Sequence, residues 1–191
     1  LPSPLSDGWA RPGVLRARSY LLEDRLAEAR KVSLETVRRC GSDVAALAML
    51  LAVRSEMLDR GMTDAAEVKA VAEGLPGAFA KLVGPEGRSA PREIRSTLTA
   101  AIVIAADKVG NVELAREATL AADDIASLLP VQSLSRIVEI RRRRAIGREE
   151  ALLRSAESDG PTPASTMVRA ILLNSESKTA EAIEMLRRET G

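Results

Sequence analysis

The stretch "KVGNVELAREATLAADDIASLLP", residues 108–130, decides how this chain is read. An apolar run, "LTAAIVIAA" at 98–106, leads into it; Gly110 interrupts; then Ala115, Ala118, Ala121 and Ala122 recur at helical intervals. A glycine just past an apolar helical pattern is a stop signal, because only glycine enters the left-handed region without a Cβ penalty. The segment reads as a helical hairpin that turns at Gly110, with the alanines forming the close contact between its two helices. The apolar run before the turn belongs to the middle of a stack, where neighbours cover a helix on several sides.

Composition agrees. Hydrophobic residues make up 46% and charged residues 29%, a foldable balance. Aromatics are only 2%, namely Trp9, Tyr20 and Phe79, whereas sheets draw on aromatic and β-branched residues. Ala, Leu, Glu and Arg, the strong helix formers, dominate, so the expectation is an all-α protein. The net charge of +1 gives no electrostatic case for nucleic acid. The preference for arginine over lysine fits a GC-rich genome.

With no histidine, the usual general base, the imidazole metal ligand and the histidine-dependent nucleophile systems are excluded. The single cysteine, Cys40, allows neither an internal disulfide nor a thiolate cluster and reads as a small buried hydrophobe at a helix end. Adjacent carboxylates such as Glu23/Asp24 and Asp123/Asp124 diverge on a helix and make no acid/base couple. The expectation is a protein that is no enzyme and holds no cofactor and no metal. The longest apolar run is far short of the ~20 residues a bilayer span needs, so no membrane insertion is expected. The chain begins at Leu1, which reads as an excised or processed piece.

The hairpin recurs. Turn signals at Asp24, Gly61, Gly110, Gly147 and Ser177 each sit between two helical patterns. Gly41, Pro91, Pro130 and "DGPTP" at 159–163 separate one pair from the next, with Thr162 and Pro163 suited to cap and open a helix. One domain, 1–191, results, with pairs at about 11–40, 43–74, 91–129, 131–157 and 163–189. A Gly/Pro-rich insertion at 75–90 reads as a binding loop or as an amphipathic turn over a core edge. Five residues after each turn stand Ala29, Ala66, Ala115, Leu152 and Ala182, mostly small.

On these residues the chain resembles the tetratricopeptide repeat family, whose ~34-residue unit is a helical hairpin with a small residue early in its second helix. Ala17, Tyr20 and Ala29 match in the first pair, and Leu50, Val53, Met57, Gly61 and Ala66 in the second. Ile102, Gly110, Ala115 and Ala122 match in the third; Ala170, Leu173, Ala182 and Leu186 in the fifth. No pair has the family's tryptophan, second helices lack its large aromatic, and the fourth pair puts Glu139 and Arg142 at expected core sites. The resemblance implies a right-handed α-solenoid of about five antiparallel helix pairs; the alternative is an irregular helical bundle. It also implies a concave groove lined by first helices. Arg18 and Leu21 would face it, then Leu51 and Leu58, then Thr97, Ile104, Asp107 and Lys108. Arg141, Arg144, Met167 and Asn174 would complete it.

The loudest charge feature is "EIRRRRAIGREE" at 139–150. Its arginines suit a carboxylate or phosphate. They equally complement a helix dipole at a solvated C-terminus, by about 0.3–1 kcal/mol each. Glu35–Arg39, Glu56–Arg60, Glu150–Arg154 and Glu184–Arg188 have the favourable i, i+4 order.

The function expected is a non-enzymatic scaffold or adaptor that binds a protein or peptide, acidic in character, through Arg18, Asp107, Lys108, Arg141, Arg144 and Asn174. The alternatives are a regulatory or sensory segment of a larger protein such as a transcription regulator, and a periplasmic assembly or motility accessory protein. Cytoplasm and periplasm both fit the composition.

Overall fold

The computed structural model describes residues 4–41, 43–122, 129, 131–147, 163–175 and 178–190. The helix read at 148–157, with Leu152 and Glu150–Arg154, lies outside the described residues. So do Asp123/Asp124, the Thr162 cap, Ser177 and the side chain of Trp9. The described chain is all-α. Its helices are α1 (Pro4–Leu22), α2 (Leu26–Cys40), α3 (Val44–Asp59), α4 (Ala65–Val83) and the short α5 (Pro85–Ser89). They continue as α6 (Arg92–Lys108), α7 (Val112–Leu120), α8 (Val131–Arg143), α9 (Pro163–Ser175) and α10 (Thr179–Thr190).

Local chemistry sets the ends. Asp43, Asp64 and Asn111 cap α3, α4 and α7 by accepting from the backbone N–H three residues on, at 2.8, 2.8 and 3.2 Å. Five helices close with the same backbone bond, from a residue's N–H to the carbonyl five positions earlier. The donors and acceptors are Arg25 to Tyr20 (2.8 Å), Met62 to Met57 (2.9 Å), Asn111 to Ala106 (2.8 Å), Ile146 to Arg141 (2.8 Å) and Lys178 to Leu173 (2.9 Å). This is the Schellman closure, which needs a left-handed residue just before the donor. Asp24, Gly61, Gly110 and Ala145 fill that place, with φ of 62°, 66°, 78° and 52°. At Gly110 a Cβ would meet nothing within 4 Å, so its requirement is conformational. The fourth closure falls at Ala145 and not at the expected Gly147, because α8 already ends at Arg143.

Burial then orders the helices. α2 folds back on α1, both meet α3, and α3 packs extensively on α6. α6 is also touched by α4, α7 and α8, then α8 by α9 and α9 by α10. Every residue from Leu98 to Asp107 is buried, so that α6 is covered by its neighbours on several sides. Most of the core is continuous with α6, while Ala17, Leu26, Ala29, Met49, Val53 and Met57 form a smaller cluster around α1–α3.

The segment read as an insertion at 75–90 is helical. α4 continues through Pro76 to Val83 because Leu75, Ala78 and Leu82 share one face and are buried, which outweighs the proline's lost hydrogen bond. α5 then turns so tightly that a Cβ on Gly87 would lie 2.3 Å from the Leu82 carbonyl oxygen. The fourth-pair mismatch also resolves: Glu139 and Arg142 are exposed, and Leu134, Ile137 and Val138 form the inner face of α8.

Ala29, Ala115 and Ala182 are buried as read, but Ala66 is exposed. After Asp24 and Gly110 the next residue already caps the second helix, whereas after Gly61 the cap is Asp64. That longer turn rotates α4, and Glu67 goes inward instead. Its carboxylate accepts from Arg30 Nη2 of α2 at 2.6 Å and lies 2.8 Å from Arg54 Nε of α3. A buried carboxylate between two guanidiniums ties three helices together.

Ala29→Leu and Ala115→Leu should each lower stability by about 1–3 kcal/mol through overpacking. Ala66→Leu, on the exposed face, should change it by less than about 0.5 kcal/mol. Urea-unfolding midpoints of the three variants check the register.

Candidate functional site

The residues expected to form a basic groove end divide sharply. Arg141 is fully buried, and its Nη2 donates to the Thr119 carbonyl at 2.6 Å, which bridges α8 to the end of α7. Asp107 is buried too. It accepts from Arg144 Nε at 2.9 Å and from Arg143 Nη2, which joins α6 to α8. Lys108 pairs with Asp59 of α3 at 2.8 Å. The Asn174 side-chain oxygen accepts from Thr179 Oγ1 at 2.9 Å, a contact within the α9–α10 turn. Of the run 141–144, only Arg142 fits the reading of a solvated helix end. The sequence reading placed Arg141, Arg144 and Asp107 toward a ligand; the structure turns them into helix–helix contacts, since their partners lie on neighbouring helices.

These pairs form a series along the C-terminal ends of α3, α6 and α8. Arg60, closing α3, reaches Asp24 in the α1–α2 turn and donates to Glu56 at 2.8 Å. Lys108, closing α6, reaches Asp59 of α3. Arg143 and Arg144, closing α8, reach Asp107 of α6. Arg136 of α8 adds a brace to α3, with Nη1 3.1 Å from Glu56 and Nη2 2.7 Å from Asp59. Of the i, i+4 pairs, Glu35–Arg39, Glu56–Arg60 and Glu184–Arg188 form, and Glu56 also holds Arg136.

The concave feature lies beside this series. A cleft of about 840 Å³ is lined by α1, α3, α6 and the first turns of α8. Its floor is made of small and apolar residues of α3 and α6, including Ala48, Ala52, Ala101 and Ile104. Its α1 wall carries Leu15 and Leu22, which are 64% and 79% exposed, with Arg18 between them. Arg18, Leu21, Thr97 and Ile104 were expected in a groove and line this one. Leu15 and Leu22 were missed, although Leu15, Arg18 and Leu22 stand at the i, i+3, i+7 spacing of one helix face. Arg18 is exposed and makes no ion pair among the described residues, while Glu56, Arg60 and Arg136 at one end are held in ion pairs that also include Asp24 and Asp59. Among the described residues no group of three or more Cys, Asp and Glu is placed to hold a metal ion, and no helix is long and apolar enough to cross a membrane.

The Lys108 ammonium holds the Asp59 carboxyl below the usual carboxylate range; Arg136 and Arg60 reinforce the shift and partial burial opposes it. A depressed folded-state pKa gives stability that is complete above the unfolded value, ~3.9, and is lost as pH falls through the folded one. Asp59→Asn should therefore flatten the acid limb of stability against pH below about pH 4, as read from urea midpoints at stepped pH. Arg141→Ala should cost about 1–3 kcal/mol, because it removes the bond to the Thr119 carbonyl and leaves a cavity at a fully buried site, with no effect on any ligand held in the cleft.

The chain matches no protein-family model, and no curated protein or solved structure is recognisably similar to it.

Proposed function

We propose that this protein is a non-enzymatic interaction module, a tetratricopeptide-like right-handed stack of helical hairpins that holds a segment of a partner protein in its cleft. The stacking part of this reading draws on two observations. Five helices share one C-terminal closure, and α1, α3, α6, α8 and α9 touch one another in succession. The binding part draws on one: the exposed leucine pair on the α1 wall facing an apolar floor. Large apolar side chains held in a concave surface gain about 25 cal/mol for each Å² a partner covers. Catalysis has little to work with in a chain without histidine. A small effector would need several convergent polar groups, and the cleft offers chiefly Arg18 and Glu93. The partner surface is apolar and carries acidic character toward Arg18.

Replacing Leu15 and Leu22 together by Asp should leave the fold intact, since both side chains are largely solvated already. It should deplete the captured partner at least about 10-fold, a loss of 1.4 kcal/mol or more. Quantitative affinity capture from the source organism's lysate, wild type against double variant with matched unfolding midpoints, reads the difference. An identical capture profile from both proteins sinks the cleft as the binding surface.

A further inference from the structure

We propose that the occupant of the cleft is an amphipathic α-helix with an acidic residue opposite Arg18 and a basic one opposite Glu93; this rests on the cleft reading above. Three observations favour a helix over an extended peptide.

The first is hydrogen bonding. An extended backbone enters a cleft with free N–H and C=O groups, and each one buried unmatched costs about 1–3 kcal/mol. The walls offer little to match them. Ser55 Oγ donates to the Ala52 carbonyl at 2.9 Å, and Ser96 Oγ and Thr97 Oγ1 donate to the Glu93 carbonyl at 2.8 and 3.0 Å. Among the described residues no asparagine or glutamine lines the cleft, and Arg60 and Arg136 are engaged with Asp24, Glu56 and Asp59. A helix brings its backbone already satisfied and asks only for apolar contact.

The second is shape. Ala45, Ala48 and Ala52 on α3 and Ala100 and Ala101 on α6 leave a trough where larger residues would leave none. A helix is a cylinder ~10 Å across, and a trough floored by alanines of two neighbouring helices admits its apolar face.

The third is charge. Arg18 on the α1 wall and Glu93 on the α6 lip line the cleft, and neither makes an ion pair among the described residues. The remaining charged lining residues are already paired: Glu56 with Arg60 and Arg136, and these arginines also with Asp24 and Asp59. An acid and a base on the occupant therefore fix its direction along the trough.

The probes are two phage-displayed libraries panned on the wild-type chain. One randomises the apolar face and flanking positions of a stable single helix; the other displays linear 12-residue peptides flanked by Gly and Pro. Selected sequences are synthesised with fluorescein, and affinities are read by anisotropy at ~0.15 M salt. The expected result is binders from the helix library, with acidic residues enriched beside the apolar stripe. Their affinity should fall at least 10-fold on Arg18→Glu, fall less on Arg18→Gln, and recover on Arg18→Glu when the peptide acid becomes Lys. Binders only from the linear library overturn the helical occupant and leave the cleft reading standing. Helical binders indifferent to Arg18→Glu overturn the acidic contact. No binder from either library removes the cleft reading itself. Circular-dichroism melts matching the wild type show that the Arg18 variants are folded.

Discussion

A helix buried along most of its length has little face left for water, and α6 is in that position from Leu98 to Asp107. Everything around it is there to cover it: α3 on one side, α4 and α7 on others, α8 on the next. Its alanines let these neighbours approach, and its isoleucines and valine fill the spaces between them. The constraint is sharpest at the end of the helix. Asp107 carries a charge into the interior, where an uncompensated carboxylate would cost several kcal/mol. The arginines of α8 answer it, so the demand of one buried helix fixes where the next must lie.

This explains which parts of the fold were legible in the sequence. Helix ends are local: a left-handed residue and a bond spanning five positions leave their mark at Gly61 and Gly110, and alanines at 29 and 115 announce close contact. Where the outcome depended on distant residues, local reading misled. Gly74, Pro76 and Gly77 look like breakers, yet burial of Leu75, Ala78 and Leu82 keeps the helix going. Ala66 fits the pattern, but two further turn residues rotate it outward and bring Glu67 in. Arg141 and Arg144 were misplaced for a similar reason. Four consecutive arginines look solvated until Thr119 and Asp107, far back in the chain, are folded against them.

The cleft was half legible. Arg18, Leu21, Thr97 and Ile104 line the cleft, and they follow from the groove geometry that the repeat resemblance implies. The polar end does not, because Glu56 and Asp59 meet Arg136 only when α3 and α8 come together, and Arg60 meets Asp24 only when the α1–α2 turn reaches α3. That pairing bears on the proposed recognition. It engages three of the charged lining residues, so that in the proposal apolar fit, Arg18 and Glu93 discriminate between partners.

The series of ion pairs also makes the units non-interchangeable. Each helix end carries a different lock: a single arginine for Asp24, a lysine with a brace for Asp59, two adjacent arginines for the buried Asp107. Exchange α3 with α6, or delete one hairpin, and a buried carboxylate faces too few cations while a guanidinium faces none. Stacks of equivalent hairpins evolve by duplicating or dropping a unit; this chain has written an order into its charges. Among the described helices, the charges at each end are matched to one particular neighbour and to no other.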